Sequence, residues 1–155
     1  MSMIFQDPTS SLNPVYRIGT QFQEVLDRGT PGIGADAARH RAVAALDDVS
    51  IGEPERVLDS YPFQLSGGMR QRVMIAMALA NEPSLLIADE PGTALDVTVQ
   101  AQTLKLIRDM VAKHNTAVLF ISHNLGVVRE FADRVYVIYK GRIAEQGPAQ
   151  ALFDN

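Results

Sequence analysis

The chain has 155 residues, a net charge of −4, 46% hydrophobic and 21% charged side chains; this is one globular domain's worth, and it argues against disorder and against a general affinity for nucleic acid or anionic membrane. Cysteine is absent, which excludes disulfides and thiolate metal sites and is compatible with a reducing cytosol. No apolar run approaches the roughly 20 residues of a membrane span, and no basic-then-apolar leader opens the chain.

Met3, Ile4 and Phe5 predict a strand fragment over residues 1–6, ending in Gln6. Residues 7–11 form a turn cluster, and Asn13-Pro14 reads as a cap and first position of a helix carrying Ile18, Phe22 and Leu26 to Gly29. Asp36 reads as the cap of a second helix with Ala38, Ala42, Leu46 and Val49 on one face, and Arg39, His40 and Arg41 on a solvated one. A short helix follows Gly52-Glu53-Pro54 to about Leu58.

Ser66-Gly67-Gly68 then opens an apolar-periodic helix with Val73, Met74, Met77 and Ala80. Glycines leave backbone amides open, and the amino end of a helix adds partial positive charge, so together they can cradle a phosphate. An ordinary serine cap also accounts for Ser66. Met69, Met74 and Met77 read as core filling, and Arg70 and Arg72 as exposed helix charges.

The run 85–88 is apolar without alternation, the mark of a strand buried on both faces in a parallel sheet, and it ends in Asp89-Glu90-Pro91. Parallel sheets place chemistry beyond the carboxyl ends of their strands. Two carboxylates there can divide labour, one holding a metal and one handling a water; a solvated acidic turn fits the pair alone equally well. An amphipathic helix spans 97–113, a second buried strand spans 117–121 and ends in Ser122-His123, and Leu125, Val128 and Phe131 mark a short helix. Residues 135–139 and 142–146 flank Lys140-Gly141 as a hairpin, and Gly147-Pro148 starts a last helix ending near Phe153.

Taken together these stretches resemble the ATP-binding-cassette ATPases. Residues 65–71 match the family's signature, 85–90 its Walker B strand, 93–96 its D-loop, Ile121-Ser122-His123 its switch histidine, and Phe5-Gln6-Asp7-Pro8 its Q-loop. The run 7–14 looks like the peptide, dipeptide and nickel importers. The resemblance implies an α/β fold, a partial phosphate-loop NTPase core of mostly parallel sheet plus an inserted helical subdomain over about 12–80, with 1–6 and 81–155 in the core.

The resemblance also implies roles. Asp89 would order Mg2+ through water, with Gln6 nearby; Glu90 would serve as general base; Gln6 and His123 would contact the γ-phosphate and the metal's water shell. Ser66, Gly67 and Gly68 would complete an ATP site on an opposed cassette, and Asp96 would lie at the dimer contact. The implied partners are a second ATPase subunit, identical or not, membrane permeases and, indirectly, a solute-binding protein, with no nucleic acid; the implied place is the cytoplasmic face of the membrane, peripherally. A soluble cassette of DNA repair or translation, and a non-enzymatic fragment, are the other readings. Two positions depart from the family: Phe63 stands where histidine is usual, and Gly92 where Thr or Ser is usual. Nowhere do the 155 residues contain Gly-x-x-x-x-Gly-Lys-[Ser/Thr], the phosphate loop, so the chain is expected to be a partial cassette, cut at both ends and inactive alone.

Overall fold

Two apolar runs too short for helices bring the ends of the functional stretches together. β1 (Ser2–Ile4) pairs in parallel with β2 (Leu85–Asp89), with Ser2 opposite Leu86, Met3 opposite Ile87 and Ile4 opposite Ala88. The computed structural model describes residues 1–92 and 97–154, and the chain divides into two compact units, Met1–Leu119 and Phe120–Asn155.

The three-stranded sheet has the order β1-β2-β3, with β3 at Ala117–Ile121, of which residues 117–119 belong to the first unit. The two apolar runs differ from the doubly buried strands expected. In β2, Leu86 and Ala88 are fully buried while Leu85 and Ile87 are only half-buried. In β3, Leu119 is 50% and Ile121 45% exposed; with Ala117 they lie at alternate positions on one face of the strand, which no described element covers enough to bury.

Around the sheet lie the helices. α1 (Pro8–Ser11) is a single turn, where a plain turn was expected; the Ser10 and Ser11 hydroxyls donate to Asp7 O at 3.1 and 2.8 Å. α2 (Ile18–Gly29) buries Ile18, Phe22 and Leu26 completely, but it begins after Arg17 and not at Pro14. Asn13 Oδ1 accepts from Val15 N, and the Gln21 carboxamide takes up the N–H and carbonyl of Asn13 and the carbonyl of Tyr16. Those bonds satisfy the backbone outside a helix, the usual way Asn competes with helical structure.

α3 (Ala35–Asp48) is capped by the backbone of Gly34, with Asp36 inside the first turn and making no cap bond. There its charge meets the positive end of the helix. Ala38, Ala42, Leu46 and Val49 are buried as the spacing predicts, but the basic face is not simply solvated. Arg39 pairs with Glu55 and Asp59, at and after α4 (Pro54–Leu58), and its pKa is raised by the hydrogen bond to Asp59 first and then by Glu55. Arg41 donates to Ala80 O at 2.9 Å and Thr30 Oγ1 at 3.1 Å.

α5 (Gly67–Leu79) is the unit's central helix. It packs against α1, α3, β1 and α6 (Val97–Lys113), and Val73 to Leu79 are buried without a break, so propensity and a wide apolar surface act together. Met74 and Met77 fill core, whereas Arg72 is no free surface charge: its guanidinium donates to Val49 O at 2.6 Å. α6 buries Thr103, Ile107 and Met110, and at its end Lys113 Nζ meets Asp48 at 2.6 Å.

The second unit contains α7 (Leu125–Phe131), capped by Asn124 Oδ1 accepting from Gly126 N and Val127 N. β4 (Arg134–Tyr139) and β5 (Arg142–Pro148) form the expected antiparallel hairpin. Its turn places Lys140 at φ 48° and Gly141 at φ 74°, both left-handed, as the twist of a tight hairpin requires. α8 (Ala149–Phe153) closes the unit.

Candidate functional site

The parallel register aligns two chain ends. Gln6 lies two residues past Ile4 and Glu90 two residues past Ala88, and those two residues are paired. The side chains meet: Gln6 Nε2 donates to Glu90 Oε2 at 3.0 Å. Asp89, the last residue of β2, and Glu90 are both half-buried, while Gln6 is exposed.

The backbone after β2 turns sharply. Glu90 has φ 45° and Gly92 φ 91°. The first is uncommon for a side-chain-bearing residue and typical of functional sites. The second favours glycine, so Gly92, where the family usually has Thr or Ser, fits the turn it occupies. The D-loop residue Asp96 lies outside the described residues.

Ser66 caps α5, its Oγ accepting from Met69 N at 3.3 Å. A side chain built on Gly67 or Gly68 would meet nothing within 4 Å, so the helix's amino end is open to an approaching group. Phe63 is 69% exposed and stacks on Tyr61 with ring centroids 5.4 Å apart. His123 belongs to the second unit, exposed between β3 and α7, where Asn124 N donates to Ser122 Oγ at 3.1 Å.

Of the predicted site residues, the structure thus joins Gln6 to Glu90 beside Asp89, and sets Ser66, Gly67 and Gly68 at the start of α5. The link between Gln6 and Glu90 escaped sequence reasoning, because it depends on the register of β1 against β2, which no single stretch of sequence carries.

The pattern of the ABC transporter family matches residues 1–93. The chain belongs to the ABC transporter family. Over all 155 residues it is 56% identical to the peptidoglycan transport ATP-binding protein YejF of Agrobacterium fabrum, of which it covers 28%. Over 153 residues it is 53% identical to the oligopeptide transport ATP-binding protein OppD of Bacillus subtilis, covering 99% of this chain and 42% of that one. The chain therefore spans less than half the length of these curated ABC relatives. Among solved structures it is similar to cbiO1 from Clostridium perfringens, part of the ABC transporter complex cbiONQ, with a TM-score of 0.80 at 29% identity, covering 99% of this chain and 59% of that one. It is also similar to the dimeric ATP-binding cassette MJ0796 in a post-hydrolysis state bound to ADP and Pi, with a TM-score of 0.77 at 27% identity, covering 96% of this chain and 62% of that one. The fold is accordingly that of an ABC ATPase cassette, in part.

The residues present fit magnesium and a phosphate group. Carboxylates and a carboxamide are the hard oxygen donors that magnesium takes. Among the described residues no group of three or more His, Cys, Asp or Glu is placed to hold a metal ion. Among the described residues no helix is long and apolar enough to cross a membrane.

Proposed function

We propose that these residues are the Q-loop, signature and Walker B part of an ATP-hydrolysing subunit that energises an importer of peptides or similar small solutes. The observation that carries this reading is the placement of Asp89 and Glu90 at the carboxyl end of a parallel strand, with Gln6 reaching Glu90 from the neighbouring strand. The names of the Bacillus subtilis and Agrobacterium fabrum relatives support the solute class.

Bound Mg-ATP supplies a γ-phosphoryl group whose charge the metal partly neutralises. The chain's own residues do the rest. Asp89 would help to hold magnesium, which would partly neutralise the phosphate charge, and Glu90 would accept the proton of the attacking water. Gln6 and His123 orient that water and the γ-phosphate. Ser66 Oγ and the amides of Gly67 and Gly68 donate to phosphate oxygens of a nucleotide on an opposed cassette, where the field of α5 favours negative charge. Residues of about 12–80 act as the helical subdomain, inserted into a core made by 1–6 and 81–155. The partners are a second cassette, a permease at the cytoplasmic face of the membrane and, through it, a solute-binding protein.

A chimera tests this: the chain replaces the matching 153 residues of the Bacillus subtilis relative. The chimera hydrolyses ATP, and Glu90→Gln lowers kcat by about 10²–10⁴-fold, the usual contribution of a general base, with the KM for ATP nearly unchanged. A chimera without turnover, or a Glu90→Gln variant within about threefold of its parent, overturns the assignment.

A further inference from the structure

We propose that Phe63 is a stacking platform for the base of the nucleotide whose phosphates meet the amino end of α5. This rests on the reading above, in which Ser66, Gly67 and Gly68 donate to phosphate oxygens of a nucleotide on an opposed cassette. Phe63 is 69% exposed, and a lone exposed apolar side chain is ordinary. Phe63 is not alone. Its ring lies nearly parallel to that of Tyr61, with 9° between the planes and 5.4 Å between the centroids, within the range of stacked aromatic pairs. The Arg17 guanidinium lies over the Tyr61 ring at 5.7 Å from its centroid, where the ring's quadrupole attracts a cation. Two rings and a cation are thus assembled before any ligand arrives.

The backbone holds this stack in place. Pro62, between the two aromatic residues, is buried, and its ring fixes its own φ. Tyr61 N donates to Gln64 Oε1 at 2.7 Å, and Ile18 N donates to Ser60 O at 2.9 Å, which ties the segment to the start of α2. A ring already fixed loses little freedom when a ligand lies on it. Ser66 follows three residues after Phe63, at most about 11 Å of extended chain away and within the reach of one nucleoside triphosphate. The two places take different chemistries. The helix end favours negative charge and has open space at both glycines. Phe63 has no hydrogen-bonding group and takes a flat π-surface. A phosphate chain joined to a heteroaromatic base carries both. Every base has a π-face, so the platform adds affinity without choosing among bases.

The chimera tests this through the split between KM and kcat. Phe63→Ala raises the KM for ATP by about 5- to 10²-fold, the usual worth of one stacked base. Its kcat stays within about twofold of the parent, because a base is bound alike in the ground and transition states. Phe63→Tyr keeps the ring and stays within about twofold of the parent in KM. GTP shows the same rise with Phe63→Ala as ATP does. Inorganic tripolyphosphate has no base to stack, and its inhibition constant against ATP does not move. An unchanged KM for ATP, or an equal loss for tripolyphosphate, overturns the proposal. The second arm needs no turnover and uses the 155-residue chain itself. Millimolar AMP shifts the ring resonances of Phe63 through the ring current of the base, whereas ribose 5-phosphate at the same concentration leaves them in place. Rings unmoved by AMP overturn the platform even if the chimera hydrolyses ATP; moved rings with an inactive chimera keep the platform and overturn the hydrolytic reading.

Discussion

Gln71 sits in the signature helix, 1% exposed, and neither atom of its carboxamide finds a hydrogen-bond partner among the described residues. A buried amide left unpaired costs about 1–3 kcal/mol. Methionine has nearly the same shape and no such demand, so Gln71→Met should stabilise the chain by about 1–2 kcal/mol, worth some 2–4 °C in Tm per kcal/mol for a protein of this size. Urea unfolding measures it, and a variant less stable than its parent would show that the carboxamide is bonded after all. Single residues were unevenly legible. Ser66 caps as read, its Oγ accepting from Met69 N. Asn13 had the same chemistry and does not cap a helix, because Gln21 occupies its backbone groups.

At the scale of elements, α2, α3 and α5 are joined by a polar knot at their ends. Asn81 Nδ2 donates to Val25 O at 2.7 Å, and Arg41 ties α3 to Ala80 O. Gly29, the last residue of α2, lies so close to Asn81 that an added Cβ would collide with its carboxamide. Alanine in a helix is normally better than glycine by about 0.5–1 kcal/mol. Here overpacking outweighs that gain, since forcing atoms into a filled site costs about 1–3 kcal/mol, and moving Asn81 also breaks its bond to Val25. Gly29→Ala should therefore destabilise the chain. Combined with Asn81→Ala it should cost less than the sum of the two single changes, a coupling read from denaturant midpoints. Gly29 was foreseen as a helix end. Its close approach to Asn81 was not, because a terminal glycine and a packing glycine look alike in one sequence.

For the whole molecule, the decisive feature is a composition of motifs. The 155 residues hold Gln6, Ser66, Asp89, Glu90 and His123 but no phosphate loop. That loop supplies several backbone amides and a lysine to the phosphates, and hydrogen bonds to charged groups are worth roughly 1.5–3 kcal/mol each. Without even three of them, affinity falls by about 4–9 kcal/mol, or three to six decades. Calorimetric titration of the 155-residue chain with Mg-ATP should show no saturable binding at micromolar nucleotide. Saturable binding there would mean that the nucleotide's anchor lies among these residues. The expected burial of β3 also failed at this scale: burial is set by neighbouring elements, and the strand's own composition does not record whether they are there.

By itself the sequence determined the kind and order of the elements, the helix faces that enter the core, and the family, because hydrophobic period and motif spacing are local quantities carried by neighbouring residues. The tertiary structure alone decided which side chains meet. Gln6 finds Glu90 across 84 positions, Lys113 finds Asp48 across 65, and Arg41 reaches Ala80 across 39. Such pairs depend on strand register and helix packing, which sum over the whole chain, and no single stretch of residues specifies them.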